Sequence, residues 1–313
     1  MISDHQVDHL AVDRFAESLR SRGKQPATVE SYCRDAHRFL DYLGKFRVQP
    51  AQVEPETLLA FQEFLKSDCE ERDNSVRRTV IGIRQFYRFL NETHAIKGTP
   101  FDMVPIPVRD DRLPKGVSPD DVESILRMAL SGRPESKASR DAAMVSLLAH
   151  EGIKANELIS LKWSDYLQEN NQGSLRIIGP RARVVVLCKE SNDLFQNYKR
   201  LFATIKHPAI VNSTANRVFI AYKGRDAASP LPAMTRHGLK FILYELGEKA
   251  GLRKLNTEQL RHFAVSYLIS LGRSPEEIML HLGLCRIGNI AKHIVKEKTQ
   301  SRPRMIEGAS RLP

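Results

Sequence analysis

Apolar side chains recur at helical spacing through most of this chain. In the first hundred residues Phe15, Leu19, Val29, Tyr32, Phe39, Leu40 and Leu43 follow that period around a break at Gly23–Pro26, as in helices that each bury one face. Segment 76–90 is the clearest. Val76, Val80, Ile83, Tyr87 and Leu90 form one apolar stripe, and Arg77, Arg84 and Arg88 form a second stripe facing elsewhere. A basic stripe suits a phosphate backbone or a major groove. It suits an ordinary solvated face equally well.

Punctuation divides the rest. Residues 98–117 hold four prolines, no helical period and the charged run RDDR, which marks a linker. Residues 1–97 then form an N-terminal domain and 118–313 a C-terminal one with a tail. Ser118, Pro119 and Asp121 are a helix start. Residues 140–161 predict two helices around Glu151-Gly152, and Leu161 and Trp163 beyond them are core by spacing. Residues 174–187 are the best strand candidates, two β-rich runs flanking Gly179-Pro180, hence a small hairpin. Residues 256–271 predict an amphipathic helix with Leu260, Phe263, Ala264, Tyr267, Leu268 and Leu271 inward and a stop at Gly272. Ser274, Pro275 and Glu277 start another helix with a capping box. It ends near Gly283, and a last helix begins near Asn289.

Composition adds a direction. Residues 1–100 carry 15 basic and 15 acidic side chains, whereas 101–313 carry 33 and 22, so the whole net charge of +11 lies in the second part. Such a surface suits a polyanion, because neutralised phosphates release counterions. Cys33, Cys69, Cys188 and Cys285 are scattered, the pattern of free thiols in a reducing compartment rather than of a metal site. No apolar run approaches the roughly 20 residues that span a bilayer, and the first residues do not have the form of a secretory signal. The expectation is a cytoplasmic protein placed at the nucleoid, with neither cofactor nor metal and no membrane contact.

Five segments carry a resemblance. GKQPATVESYCRDAHRFLDYL with RRTVIGIRQFYRFL is similar to the helical core-binding domain of the tyrosine recombinase (phage integrase) family. PKGVSPDDVESIL resembles its interdomain junction and LLAHEGIKANELISLKWSDY the segment of its first catalytic arginine. LNTEQLRHFAVSYLISLG resembles its His-x-x-Arg segment, and SPEEIMLHLGLCRIGNIAKHIV its LGH element followed by the nucleophilic tyrosine. The resemblance covers about residues 8–296. It implies a mainly α protein of two domains: an N-terminal helical, SAM-like core-binding domain, and a C-terminal recombinase-like α domain with a small β-sheet. The two would close around a duplex.

The family's chemistry is attack of a tyrosine hydroxyl on a DNA phosphodiester, with cations stabilising the phosphorane. Here its first arginine falls on Lys154, which keeps the charge and loses the flat fork. Its hairpin lysine falls on Pro180, and Arg181 beside it is a poor acid. Its histidines fall on Glu258 and Leu284, its second arginine is retained as Arg261, and its tyrosine falls on His293. Glu258, three residues before Arg261, is placed to pair with it. Tyr267 belongs to an apolar stripe. His262 is a structural histidine and His281 a surface or supporting one. His293 could attack phosphorus to give a phosphoramidate, though no partner to tune it is evident. These positions lead to the expectation that the chain is not an enzyme and holds double-stranded DNA in an architectural or regulatory role. The DNA contacts would be Arg77, Arg84, Arg88, Lys154, Arg181, Arg183, Arg236, Lys240 and Arg261. The alternatives are a divergent active recombinase, or a regulatory partner of one. Self-association would use residues 298–313.

Overall fold

The computed structural model describes residues 4–290 except 94, 97, 99, 100, 102, 109–115, 224–228, 286, 287 and 289. The helix expected from Asn289, His293 and the tail 298–313 therefore lie outside the described residues. The chain divides into two compact units, Met1–Arg112 and Leu113–Pro313.

The first unit is built from α1 (Asp4–Ser21), α2 (Pro26–Lys45), α3 (Pro55–Ser67) and α4 (Asp73–Glu92). Prolines open α2 and α3, where a helix lacks use for the missing N–H. The expected apolar positions are buried, Tyr32 only partly. Helix α4 contains Val76, Thr79, Val80 and Ile83, poor helix formers by a few tenths of a kcal/mol each. Burying each apolar side chain returns roughly 1.5–3 kcal/mol, so packing decides for helix. Phe39 meets Phe61 edge-on at 4.9 Å and Tyr87 meets Phe101 at 4.2 Å.

Phe101 and Val104 are buried in this core, so the expected linker at 98–117 begins inside the first unit. Its backbone is also held there. Arg84 donates to the carbonyl of Phe101 at 2.6 Å and to that of Val104, and Arg77 donates to that of Pro107 at 2.7 Å. A proline-rich stretch leaves carbonyls without ladder partners, and the arginine stripe of α4 fills them.

The second unit begins at α5 (Pro119–Leu130), where Ser118 and Asp121 complete a reciprocal cap. The buried α6 (Glu135–Ala149) turns through Gly152 into α7 (Ala155–Ser160). A three-stranded antiparallel sheet follows, β1 (Tyr166–Glu169), β2 (Gln172–Ile177) and β3 (Arg183–Val186). The β2–β3 hairpin matches expectation. Strand β1 was not foreseen, since one of its four side chains is buried. Asn170 and Asn171, both at positive φ, make its turn, as a two-residue hairpin requires. Next come α8 (Lys189–Phe202), α9 (Pro208–Val211), the unforeseen pair β4 (Ala221–Lys223) and β5 (Ser229–Leu231), and α10 (Arg236–Lys249). Last are α11 (Thr257–Ser270) and α12 (Pro275–Leu282). Leu271, expected inward, is exposed because α11 ends one residue earlier. Leu161 is buried, and Trp163 is part-buried against Phe195, Tyr198 and Phe202.

Candidate active site

The α6–α7 turn, β3, α11 and the end of α12 meet around Glu157. Glu157 stands at the third position of α7 and accepts from the Lys154 N–H at 3.0 Å, which fixes the helix start. Arg183 grips the same carboxylate with two bonds of 2.9 Å. Strand alternation explains its placement. Arg183, Val185 and Leu187 share the inward face, while Val184 and Val186 point out. The Nε of Arg183 donates to the carbonyl of His281 at 2.7 Å and Nη1 also reaches that of Arg181.

Arg261, from α11, bridges two elements. It donates to the carbonyl of Gly152 in the turn and, at 2.8 Å, to that of Leu282. The last carbonyls of a helix lack internal partners and carry its negative dipole end, so the end of α12 draws both arginines. Lys154 lies 3.8 Å from Glu157 with its side chain 40% exposed. Two cations thus pair with this carboxylate, and Arg261 acts on it through space. Burial opposes ionisation of Glu157, but Arg183 and the Lys154 N–H outweigh it and hold the carboxyl below its ordinary value. Burial lowers the Lys154 ammonium, with Arg261 and Arg183 adding to it against Glu157. Burial also lowers Arg261.

Two sequence expectations change here. Glu258 is exposed, and no ion pair joins it to Arg261 among the described residues. Arg261 reaches helix-end and turn carbonyls instead, and Glu258 acts on it only through space. Arg183, expected on DNA, has its donors occupied and its side chain 8% exposed. It is a buried clamp. Pro180 and Arg181 are exposed at the hairpin, and Leu284 packs on the small core of α11 and α12. Arg236 and Lys240 are exposed on the first turns of α10. In the first unit Arg88 is exposed, while Arg77 and Arg84 hold carbonyls as described above. Glu157 went unnoticed in the sequence. Its signal was the i+3 carboxylate after Lys154 at a helix start. Among the described residues no His, Cys, Asp or Glu groups are arranged to hold a metal, and no helix is long and apolar enough to cross a membrane.

The phage integrase family model matches residues 115–292, and the phage integrase N-terminal SAM-like domain matches 12–95. The tyrosine recombinase XerD of Listeria monocytogenes is 26% identical over 284 residues, 88% of this chain and 90% of that protein. The tyrosine recombinase XerC of Pelotomaculum thermopropionicum is 27% identical over 307 residues, 93% and 95% of the two. The XerH site-specific recombinase bound to palindromic difH substrate is similar at a TM-score of 0.69 and 16% identity, over 91% of this chain and 83% of that one. The Tn1549 transposon integrase in complex with circular intermediate DNA gives 0.67 and 17%, over 93% and 98%. At such identities the solved structures speak for the fold. The relatives correct the expectation that the chain is not an enzyme, because the proteins it matches along nearly their whole length are named recombinases.

Proposed function

Because this chain belongs to the phage integrase family, we propose that it binds double-stranded DNA and acts on it as a divergent site-specific recombinase. The observation that carries the proposal is the charge surplus around Glu157. Arg183 already occupies that carboxylate through both oxygens. Lys154 and Arg261 therefore bring positive charge that it does not cancel, and a DNA phosphate is the complementary group. The net charge of +11, all of it in residues 101–313, favours the same ligand.

The nucleophile we assign is the imidazole of His293, which stands at the family's tyrosine position. Histidine forms covalent phosphoryl intermediates as tyrosine does. Its ring nitrogen attacks phosphorus and the bond from phosphorus to the 5′ oxygen breaks. Lys154, whose ammonium is made more acidic by burial, gives the leaving oxygen its proton. The products are a 3′-phosphoramidate on the protein and a free 5′-hydroxyl. Attack by a second 5′-hydroxyl, returning a proton to Lys154, reseals the strand. Lys154 and Arg261 would offset charge on the phosphorane. Self-association through residues 298–313 would bring two such sites together, and deleting that tail should remove higher-order DNA complexes.

The test uses duplexes selected for binding from a random pool, remade with a nick beside each phosphate in turn. Cleavage then releases a short fragment and traps the adduct. The expected result is a covalent 3′ adduct, stable in alkali and lost in mild acid, mapped by mass spectrometry to His293 and absent in His293→Ala. Tight binding of the same DNA without any adduct overturns the proposal.

A further inference from the structure

The end of α12 is fastened at three points. Two are the arginine bonds to the carbonyls of His281 and Leu282. The third is Nε2 of His281, 3.2 Å from a carboxylate oxygen of Glu151. Glu151 lies in the turn just after α6 and precedes Gly152, the residue whose carbonyl Arg261 takes. Its side chain is 2% exposed, and its other oxygen accepts from the Cys188 N–H at 2.8 Å. Neither Glu151 nor His281 stands at a position that the family resemblance marks as catalytic.

The contact has an unusual character. Nε2 of His281 is buried and close to the carboxylate, yet it lies off the direction of a hydrogen bond and has no other acceptor. An aligned bond from a neutral ring would survive loss of the proton. An off-axis contact depends on charge, and it weakens when the ring becomes neutral. Glu151 is ready for that role. Burial opposes its ionisation, but His281, the Cys188 N–H and Ser191 prevail and keep it an anion.

We infer that Glu151 and His281 are positioning residues: their ion pair holds the end of α12 against the cationic cluster, most firmly when His281 is protonated. The inference rests on the recombinase reading for its consequence and on α12 itself for its test. Arg183 and Arg261 both end on α12, so a shift of this helix moves Arg261, which the recombinase reading places at the phosphate, and the Arg183 clamp on Glu157.

Other titratable groups face the pair. His150 caps the end of α6 beside Glu151, where burial lowers its ring and Ser146 meets its Nδ1 at 3.0 Å. Burial pushes the Cys188 thiol up to about 11 and the Tyr267 hydroxyl higher still. Both stay neutral between pH 5 and 8. Arg183 from β3, Lys189 and Glu190 at the start of α8, and Arg273 and Glu277 on α12 are the other charged groups around the pair. Histidine is the side chain that changes charge in that pH range. A cleft of about 570 Å³ beside the pair, lined by His281, Glu151, Leu280 and Val186 among others, leaves room for a longer side chain at 281.

The experiment measures amide exchange in α12 and adduct formation on nicked DNA for the full chain from pH 5.5 to 8.5. In the wild type, protection of α12 should rise on the order of tenfold as pH falls from 8 to 6. His281→Lys, which keeps its charge, should hold α12 protected throughout and abolish the step. Glu151→Gln should leave α12 poorly protected throughout. His150→Gln should leave the step in place. An unchanged step in both His281→Lys and Glu151→Gln, or its loss in His150→Gln alone, overturns the inference. If no protein forms an adduct, the recombinase reading fails and the exchange data still decide the role of the pair.

Discussion

Arg181 and Arg183 are two residues apart in sequence and have opposite fates. Arg181 is exposed, whereas Arg183 is committed to Glu157 and to the end of α12. Replacing one member of a buried ion pair leaves the other charge uncompensated and costs about 3–5 kcal/mol. Arg183→Met should therefore lower the urea stability of the second unit by that amount. Arg183→Lys should recover little, because an ammonium cannot span both carboxylate oxygens. If Arg183→Met were as stable as wild type, the clamp would not exist. Glu157 makes a matching prediction with acid. Its carboxyl is held below the ordinary value, so its contribution is present above that value and is lost as pH falls through the folded one. The stability gap between wild type and Glu157→Gln should be wide at pH 7 and should narrow as pH falls below the ordinary carboxylate range. A constant gap in denaturant midpoints would contradict this.

Helices and turns make their own claims. Gly152 has φ +59, and a Cβ there would come 2.3 Å from Leu282 and 3.0 Å from Ala264. A side chain meets both left-handed strain of about 1–2 kcal/mol and overpacking of about 1–3 kcal/mol. Gly152→Ala should thus cost about 3 kcal/mol in denaturant, with the loss confined to the second unit. On α4 the two readings of the basic stripe separate by residue. Arg84→Ala should release the backbone near Phe101–Val104 and speed its proteolysis. Arg88→Ala should leave proteolysis unchanged. Much of this architecture was legible beforehand. The α4 stripe, the Ser118 and Ser274 caps and the β2–β3 hairpin depend on local periods and turn chemistry. Strand β1, β4 and β5 did not show, because they are short and draw their order from neighbours. The site was legible only as positions. That Arg261 turns from Glu258 to the carbonyls of Gly152 and Leu282 depends on a meeting of distant segments, which spacing along one helix cannot reveal.

At the scale of the whole molecule, charge is divided unevenly between a neutral first hundred residues and a strongly basic remainder. Each lost phosphate contact lowers the slope of log affinity against log salt by about 0.9. Replacing Arg181, Arg236 and Lys240 together with alanine should lower that slope by about 3, measured on one duplex from 50 to 200 mM salt. Arg183→Lys should leave the slope as it was, since its donors are already taken. A slope unmoved by the triple variant would exclude those three residues from the DNA surface.

Trp163 is the sole tryptophan of the chain, and it is lodged beside Phe195, Tyr198 and Phe202 in the second unit. Its emission is therefore a built-in reporter confined to that half of the molecule. Excited selectively, it is blind to the melting of the helical half that precedes it, which circular dichroism records together with the rest. If the second unit melts as one, any parting of the optical and the dichroic curves under denaturant belongs to residues 1–112.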